Sequence, residues 1–508
     1  MTLDRETACT LIQNSIHTSS IRTFKQTITM RMTIKILQAV IIAAATATGI
    51  NGQQSAMDII VADTTLTGTS WSVCFADAVT GEMIFGHDAT RNLASASVMK
   101  LYPTSVALSL LGPDYRFSTD IYVSGKFNSR RGVVDGDIII RGGGDPALGS
   151  EYFSDHYGDV TAKWTEALLA AGIRHVKGRV AAASSIYEFN PAPSGWSWGN
   201  LGQYYGAGVF DINFNDNKYN IYITGYNEGS PAVIDSVELY GRDILFNSYL
   251  VSSGRSDQGY VYSTPYSQSA WIAGSVPADS SFALKASNPD PPLTVVRLLD
   301  QAMRDAGIRI DTPPSAARAT AGLEEMTPLC VTLSPTLEEI VRVTNHESVN
   351  MYAEAIRKHL GYAIMGEGTF SAGAEVIRSF LDSIGCEPYE AVILDGSGLS
   401  ANNNISSLMT VRLLVHMHNS PCTAPFIASL PEGAVSGTMK SYFRDEFFKG
   451  RVFAKTGTIT SAKSFAGYVT TSSGRRLAFT MFANGFTVSN RIITDYMESV
   501  VREIIENY

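Results

Sequence analysis

The chain has 508 residues, 45% hydrophobic and 17% charged, which is ordinary globular composition with no sign of disorder. That length exceeds what one compact core usually organises and points to two or three domains. A formal net charge of −9 argues against nucleic acid as a partner and against a generally cationic, membrane-binding surface.

At the N-terminus, Arg31 and Lys35 precede an apolar run, Ile36 to Ala47, and small residues continue to Gly52. This is the charged, apolar and small-residue succession of a secretory signal. Residues 1–52 are therefore expected to be a targeting region, with Met30 or Met32 as an alternative start. The mature chain then begins near Gln53 and acts outside the cytoplasm, in the periplasm. The apolar run is short for a membrane span, and no cysteine follows it to carry a lipid. The competing reading is a buried helix of the fold.

Trp71 to Phe75 and Glu82 to Phe85 read as short strands joined by a turn at Asp77 to Gly81. Ser97 opens a helical stretch, Val98 to Leu111, which Gly112-Pro113 stops. From Arg116 to about Pro292 the pattern turns β-rich. Ile121–Val123, Asp137–Ile140, Asn220–Ile223 and Ala232–Leu239 read as strands, with one helix, Val160–Ala171, embedded among them. The prolines at 289–292 read as extended linker. Helices follow at 293–306, 336–344, 349–360, 373–384 and 407–418. Three late strands (451–456, 464–471 and 476–483) and a last helix (490–506) complete the chain. Strands at both ends with helices between them imply an α+β fold. Its main domain, 53–113 with 290–508, is an antiparallel sheet flanked by helices. A large β-rich insert, 114–289, forms one or two smaller domains.

Three short strings carry chemistry. In Ser97-Val98-Met99-Lys100 the spacing puts a hydroxyl and an amine on one helical face. A neutral lysine there can take the serine proton, and burial would keep it neutral. The plain alternative is a capping serine and a surface lysine. Ser348-Val349-Asn350 precedes an amphipathic helix. The serine can relay a proton and the amide can hold a carbonyl, although both residue types also cap helices well. Ser400-Ala401-Asn402 has the same spacing but lies among Gly and Asn and reads as loop. Lys455-Thr456-Gly457-Thr458 closes an apolar strand. Lys455 would face a cleft and Gly457 would admit a substrate backbone. Thr456 and Thr458, with the lysine charge, suit a terminal carboxylate, and the Thr458 N–H is a candidate oxyanion donor. Together the strings supply what is needed to open an amide through an acyl-serine.

Other strings read as structure. Gly142-Gly143-Gly144-Asp145-Pro146 is a tight turn more readily than an anion nest. Asp395-Gly396-Ser397-Gly398-Leu399 lacks the glycine two places past the serine that a nucleophile elbow carries. The eight histidines make no metal-binding pair with an adjacent glutamate, and no metal or cofactor is expected. The five cysteines (9, 74, 330, 386 and 422) contain no Cys-x-x-Cys pair, which leaves room for one disulfide and not for a zinc site.

In this order, the three strings resemble the active site of penicillin-recognising serine enzymes. Residues 142–148 (Gly-Gly-Gly-Asp-Pro-Ala-Leu), 214–217 (Phe-Asn-Asp-Asn), 395–400 (Asp-Gly-Ser-Gly-Leu-Ser) and 454–458 (Ala-Lys-Thr-Gly-Thr) narrow the likeness. They resemble the D-alanyl-D-alanine carboxypeptidase/endopeptidase family of the penicillin-binding protein 4 type, over nearly the whole mature chain. The resemblance implies a transpeptidase/β-lactamase-like domain interrupted by two nested smaller ones. It implies acylation of Ser97 by peptidoglycan stem peptides, with Lys100 as base, Ser348 as proton relay, and Asn350 holding a carbonyl. Lys455, Thr456, Gly457 and Thr458 would form the carboxylate site, and β-lactams would acylate the same serine. It is compatible with a homo-oligomer and with peripheral membrane association.

Three positions depart from the family pattern. Val349 stands where an Asp is usual. Ala183 and Ala401 stand where an Asp and an Arg commonly grip the zwitterionic end of a diaminopimelate side chain. The first leaves the reactive ends in place; the other two imply that a free amino-acid terminus is not demanded. The rival readings are a β-lactamase, for which no convincing Glu-x-x-Leu-Asn string exists, and an inactive wall-binding or β-lactam-sensing module, against which Ser97, Lys100 and Lys455 count.

Overall fold

The main sheet is made from the two ends of the chain. Its five antiparallel strands run in the order Val452–Ile459, Ala462–Thr470, Arg476–Asn484, Ser70–Asp77, Met83–His87. Both faces are covered except along the edge strand Met83–His87, which explains why the inner strands read as nearly unbroken apolar runs rather than as alternation. On one face Val73, Phe75, Phe465, Phe479 and Met481 pack with Met497, Val501 and Ile505 of the last helix, Asn490–Asn507. The residues between them, Cys74, Ala466, Tyr468, Ala478 and Phe482, join the core under the helices Leu101–Leu111 and Ser407–His418. Phe75 and Phe479 stack directly across adjacent strands, 5.5 Å apart. The computed structural model describes residues 55–183, 186–239, 244–316, 327–387 and 391–508. The expected targeting region and Cys9 lie outside them.

The expected elements form, with shifted ends. The turn after the first strand closes with Gly81 at φ +75°, while Asp77 accepts from the N–H groups of Val79 and Thr80, both at 2.9 Å. The helix Leu101–Leu111 is entered through a tighter 3-10 segment, Ala96–Lys100, and leaves through Gly112 at φ +87°. Helix Leu337–His346 begins on a capping box of Thr336 and Glu339. Helix Asn350–Met365 ends on left-handed Gly366.

The prolines at 291 and 292 are not linker. They occupy the first turn of helix Pro291–Asp305, where no N–H is needed, and Asp290 caps it by accepting from the Leu293 N–H at 3.1 Å. This helix and the strands after it stay with the insert. Cys330–Leu333 pairs with Ser118–Val123, in a sheet that continues through Ile138–Gly142 and Val180–Ala183. Arg309–Ile310 pairs with His175–Val176. We therefore place the return to the main domain near residue 334 rather than 290. Inside this unit sits a smaller one with its own core of Ile221, Ile223, Leu250, Val261, Ile272 and Leu284, built from two three-stranded sheets. Cys74, Cys330, Cys386 and Cys422 are free thiols, so no disulfide joins the described cysteines. Among the described residues no helix is long and apolar enough to cross a membrane.

Candidate active site

The three strings meet around one hydroxyl. Lys100 Nζ lies 3.0 Å from Ser97 Oγ, 2.6 Å from Asn350 Oδ1 and 2.7 Å from the Ser397 carbonyl oxygen. Two of these partners can only accept. The Asn350 orientation is fixed because its Nδ2 donates to the Tyr205 carbonyl at 2.7 Å. A neutral amine has two hydrogens and one lone pair. Asn350 and Ser397 take the hydrogens, so the lone pair faces the Ser97 hydroxyl. Lys100 is fully buried, and burial pulls its pKa from 10.5 down to about 7, against the opposing pull of Asp395 and Glu354. A hydroxyl thus faces the lone pair of an amine whose pKa lies near neutrality, an arrangement that can transfer a proton.

Backbone strain sets the serine in place. Ala96 sits at φ +45°, in the left-handed region that residues with a Cβ avoid. Gly398 abuts it: a side chain at 398 would run into the Ala96 carbonyl and stand 3.0 Å from the Ser97 nitrogen. Ser348 is likewise at φ +61°. Neither serine acts as a cap. The helix Asn350–Met365 has Val349 at its cap position with no side-chain bond, and Val349 instead packs on the main core. That is how a valine is tolerated there, while Ser348 and Asn350 turn toward the two lysines.

Lys455 closes the ring. Its Nζ donates to Ser348 Oγ and to the Thr456 carbonyl, both at 2.9 Å. It is fully buried, and burial, then Lys100, then Lys463 hold its pKa well below the ordinary value. On its strand Lys455 and Gly457 face the Ser97 side. A Cβ on Gly457 would lie 2.8 Å from the Ser97 nitrogen and 2.9 Å from the Ala96 Cβ, so only glycine fits. The strand is at the sheet edge. The Ala454 N–H donates outward to Pro431, and the Val452 carbonyl accepts from Gly433. Alternation then aims the N–H groups of Thr456 and Thr458 out of the same edge, beside Ser97.

Several contributors escaped the sequence reading. The Asp-Gly-Ser-Gly-Leu-Ser loop supplies a carbonyl to Lys100, not a nucleophile. Two buried carboxylates hold that loop. Asp395 accepts from the N–H groups of Gly398 (2.7 Å) and Ser400 (2.6 Å), from Asn403 Nδ2 (2.6 Å) and from Trp196 Nε1 (3.0 Å). Glu354 accepts from Gly396 and Ser397 N–H, and burial followed by Asp395 raises it to about 7. Glu354 lies one turn beyond Asn350, a spacing that would have signalled a shared face. Lys463, opposite Thr458 in register, donates to Thr458 Oγ1 at 3.0 Å and stacks on Tyr442 at 3.9 Å. Burial lowers it to about 8, opposed by Glu498. The Ser400-Ala401-Asn402 string is loop, as read, and Gly142–Asp145 is an internal junction in which Asp145 accepts from Tyr157 Oη at 2.7 Å.

The sequence profile of the D-Ala-D-Ala carboxypeptidase 3 (S13) family matches residues 53–504. A D-alanyl-D-alanine carboxypeptidase of Actinomadura sp. strain R39 is 29% identical over 443 residues, covering 84% of this chain and 80% of that protein. A penicillin-sensitive carboxypeptidase A of Dictyostelium discoideum is 26% identical over 468 residues, covering 85% and 87%. The crystal structure of penicillin binding protein 4 from Haemophilus influenzae superimposes with a TM-score of 0.75 at 18% identity, covering 86% of this chain and 97% of that one.

Proposed function

Because this chain belongs to the D-Ala-D-Ala carboxypeptidase 3 (S13) family and is a serine-type D-alanyl-D-alanine carboxypeptidase, we propose that it acts on peptidoglycan stem peptides through an acyl-enzyme on Ser97. Neutral Lys100 takes the Ser97 proton as Oγ attacks the carbonyl of the penultimate D-alanine. The N–H groups of Ser97 and Thr458 receive the oxyanion. Lys455, with the hydroxyls of Thr456 and Thr458, holds the terminal carboxylate, whose negative charge favours the protonated amine that burial and the neighbouring lysines disfavour. Ser348 passes a proton to the leaving amine, which departs as D-alanine or, in an endopeptidase step, as a cross-bridge. Water then hydrolyses the ester. Asn350 positions Lys100 through Oδ1 and Tyr205 through one amide hydrogen, and its second amide hydrogen is available to a substrate carbonyl. β-Lactams, which mimic the same terminus, acylate Ser97. The setting is extracytoplasmic.

The observation that carries this reading is the pair of acceptor-only contacts that leave the Lys100 lone pair to Ser97. Release of D-alanine from a soluble peptide ending in D-Ala-D-Ala tests it. Ser97→Ala and Lys100→Met should each abolish release; full activity in either refutes the assignment.

The two residues at the expected side-chain subsite carry no charge. Ala183 is buried against Tyr122 and Ile139 and offers no charge. Ala401 is exposed and equally uncharged. We propose that peptides with blocked and free side-chain ends are cleaved alike. Strong preference for the free zwitterion would contradict this.

A further inference from the structure

The smaller inserted unit carries an aromatic face that the reaction does not use. Its second sheet pairs Leu245–Ser252 with Ser269–Val276, and Ser269–Val276 with Tyr260–Tyr262. One side is buried through Leu250, Val261, Ala270 and Ile272. The other side bears Tyr249, 69% exposed, Trp271, 55%, and Tyr260, 46%. Register puts Tyr260, Ala273 and Tyr249 in one row, and Tyr262, Trp271 and Asn247 in the next. The small Ala273 floors a trough two strand spacings, about 10 Å, wide between aromatic walls. Trp198, 59% exposed, extends the face by stacking on Tyr262 at 4.8 Å.

This face continues into the candidate active site. Gln203 Nε2 donates to the Val261 carbonyl at 3.1 Å, and Gly202 packs so tightly there that no side chain fits. Tyr205, two residues on, gives its carbonyl to Asn350. The Tyr205 ring packs edge-on against Tyr204 with centroids 5.4 Å apart, and Tyr260 and Tyr262 lie 6.5 Å apart on the adjoining strand.

We propose that this aromatic face binds the glycan strand of the polymer whose stem peptide enters the Ser97 cleft: a β-1,4-linked chain of N-acetylated hexosamines. This rests on the peptidoglycan reading above. The three strands contain no Asp, Glu, Lys or Arg. Anionic lipid or nucleic acid would call for cations. A neutral sugar chain needs none. The C–H face of a β-linked pyranose is apolar and weakly positive, and it matches the negative face of Trp and Tyr rings. Asn247, Ser269 and Ser275 on the same side offer partners for hydroxyls and acetamido groups. Holding the glycan raises the effective concentration of the attached peptide at Ser97 without touching the reacting atoms.

The test titrates full-length protein with chitohexaose, the neutral β-1,4 hexamer of N-acetylglucosamine, by calorimetry, alongside co-sedimentation with insoluble peptidoglycan. The double variant Trp198→Ala/Trp271→Ala should weaken both by at least tenfold. Acylation by a soluble fluorescent penicillin, which also reports folding, should be unchanged. Should that variant lose acylation, Tyr249→Ser, remote from the 198–206 segment, replaces it with the same expected loss. Wild-type protein that ignores chitohexaose overturns the proposal. So do variants that bind undiminished, binding to phosphatidylcholine vesicles instead, or a wild-type dimer that the substitutions dissolve. Absence of penicillin acylation in the wild type would refute the Ser97 reading and leave the sugar titration readable by itself.

Discussion

In the proposed mechanism a lysine base near neutrality gives the acylation step a defined pH profile. With Lys100 at about 7, half of it is neutral at pH 7 and about one part in a hundred at pH 5. An ordinary lysine at 10.5 would be neutral in only about one molecule in three thousand at pH 7. Because the neutral form is the competent one, the second-order rate constant for acylation by a fluorescent penicillin should rise tenfold per pH unit below 7. It should bend near 7 and level off above it, so that pH 5 is about fifty-fold slower than pH 7. Glu354→Gln keeps an acceptor for the Gly396 and Ser397 N–H groups but removes a carboxylate that favours the charged amine. The bend should therefore move to lower pH. Stopped-flow measurement from pH 5 to 9 decides the matter. A rate climbing tenfold per unit through pH 9 would mean that burial does not neutralise Lys100. A bend that moves upward in Glu354→Gln would refute the charge argument.

Other outcomes follow from individual contacts. Ser348→Ala should lower kcat for D-alanine release by a factor on the order of 10² to 10⁴, as expected for loss of a proton relay, with KM little changed. Lys463→Met should raise KM about tenfold for a peptide ending in carboxylate but not for its carboxamide, since its ammonium backs Thr458. In wild-type protein the same preference for carboxylate should weaken as pH rises past about 8, where Lys463 loses its proton. Gly457→Ala should cut acylation by about 10² through displacement of Ser97, and cost about 1–3 kcal/mol of stability in thermal unfolding.

Much of this site was legible in the chain because its chemistry is local. Ser97 and Lys100 share a helical face, and Lys455 and Gly457 share a strand face, so short-range periodicity reported them directly. What was not legible comes from long-range packing. Lys463 reads as a surface residue of a β-hairpin, yet it is buried because the final helix covers that face of the sheet. The Ser397 carbonyl leaves no trace in side-chain identity. Glu354 and Asp395 read as ordinary charges until the loop closes over them. The prolines at 291–292 suggest linker as readily as helix because proline both breaks and begins helices; the Asp290 cap is what marks them as a helix start. The boundary near 334 depends on strand partners more than 200 residues apart, which no local pattern encodes.

Mass spectrometry of the protein after exposure to benzylpenicillin tests the central claim most directly. One covalent adduct on the peptide bearing Ser97, lost in Ser97→Ala, is the expected result. An adduct on another residue, or none in the intact protein, would contradict the assembly of Lys100, Ser348 and Lys455 around a reactive hydroxyl.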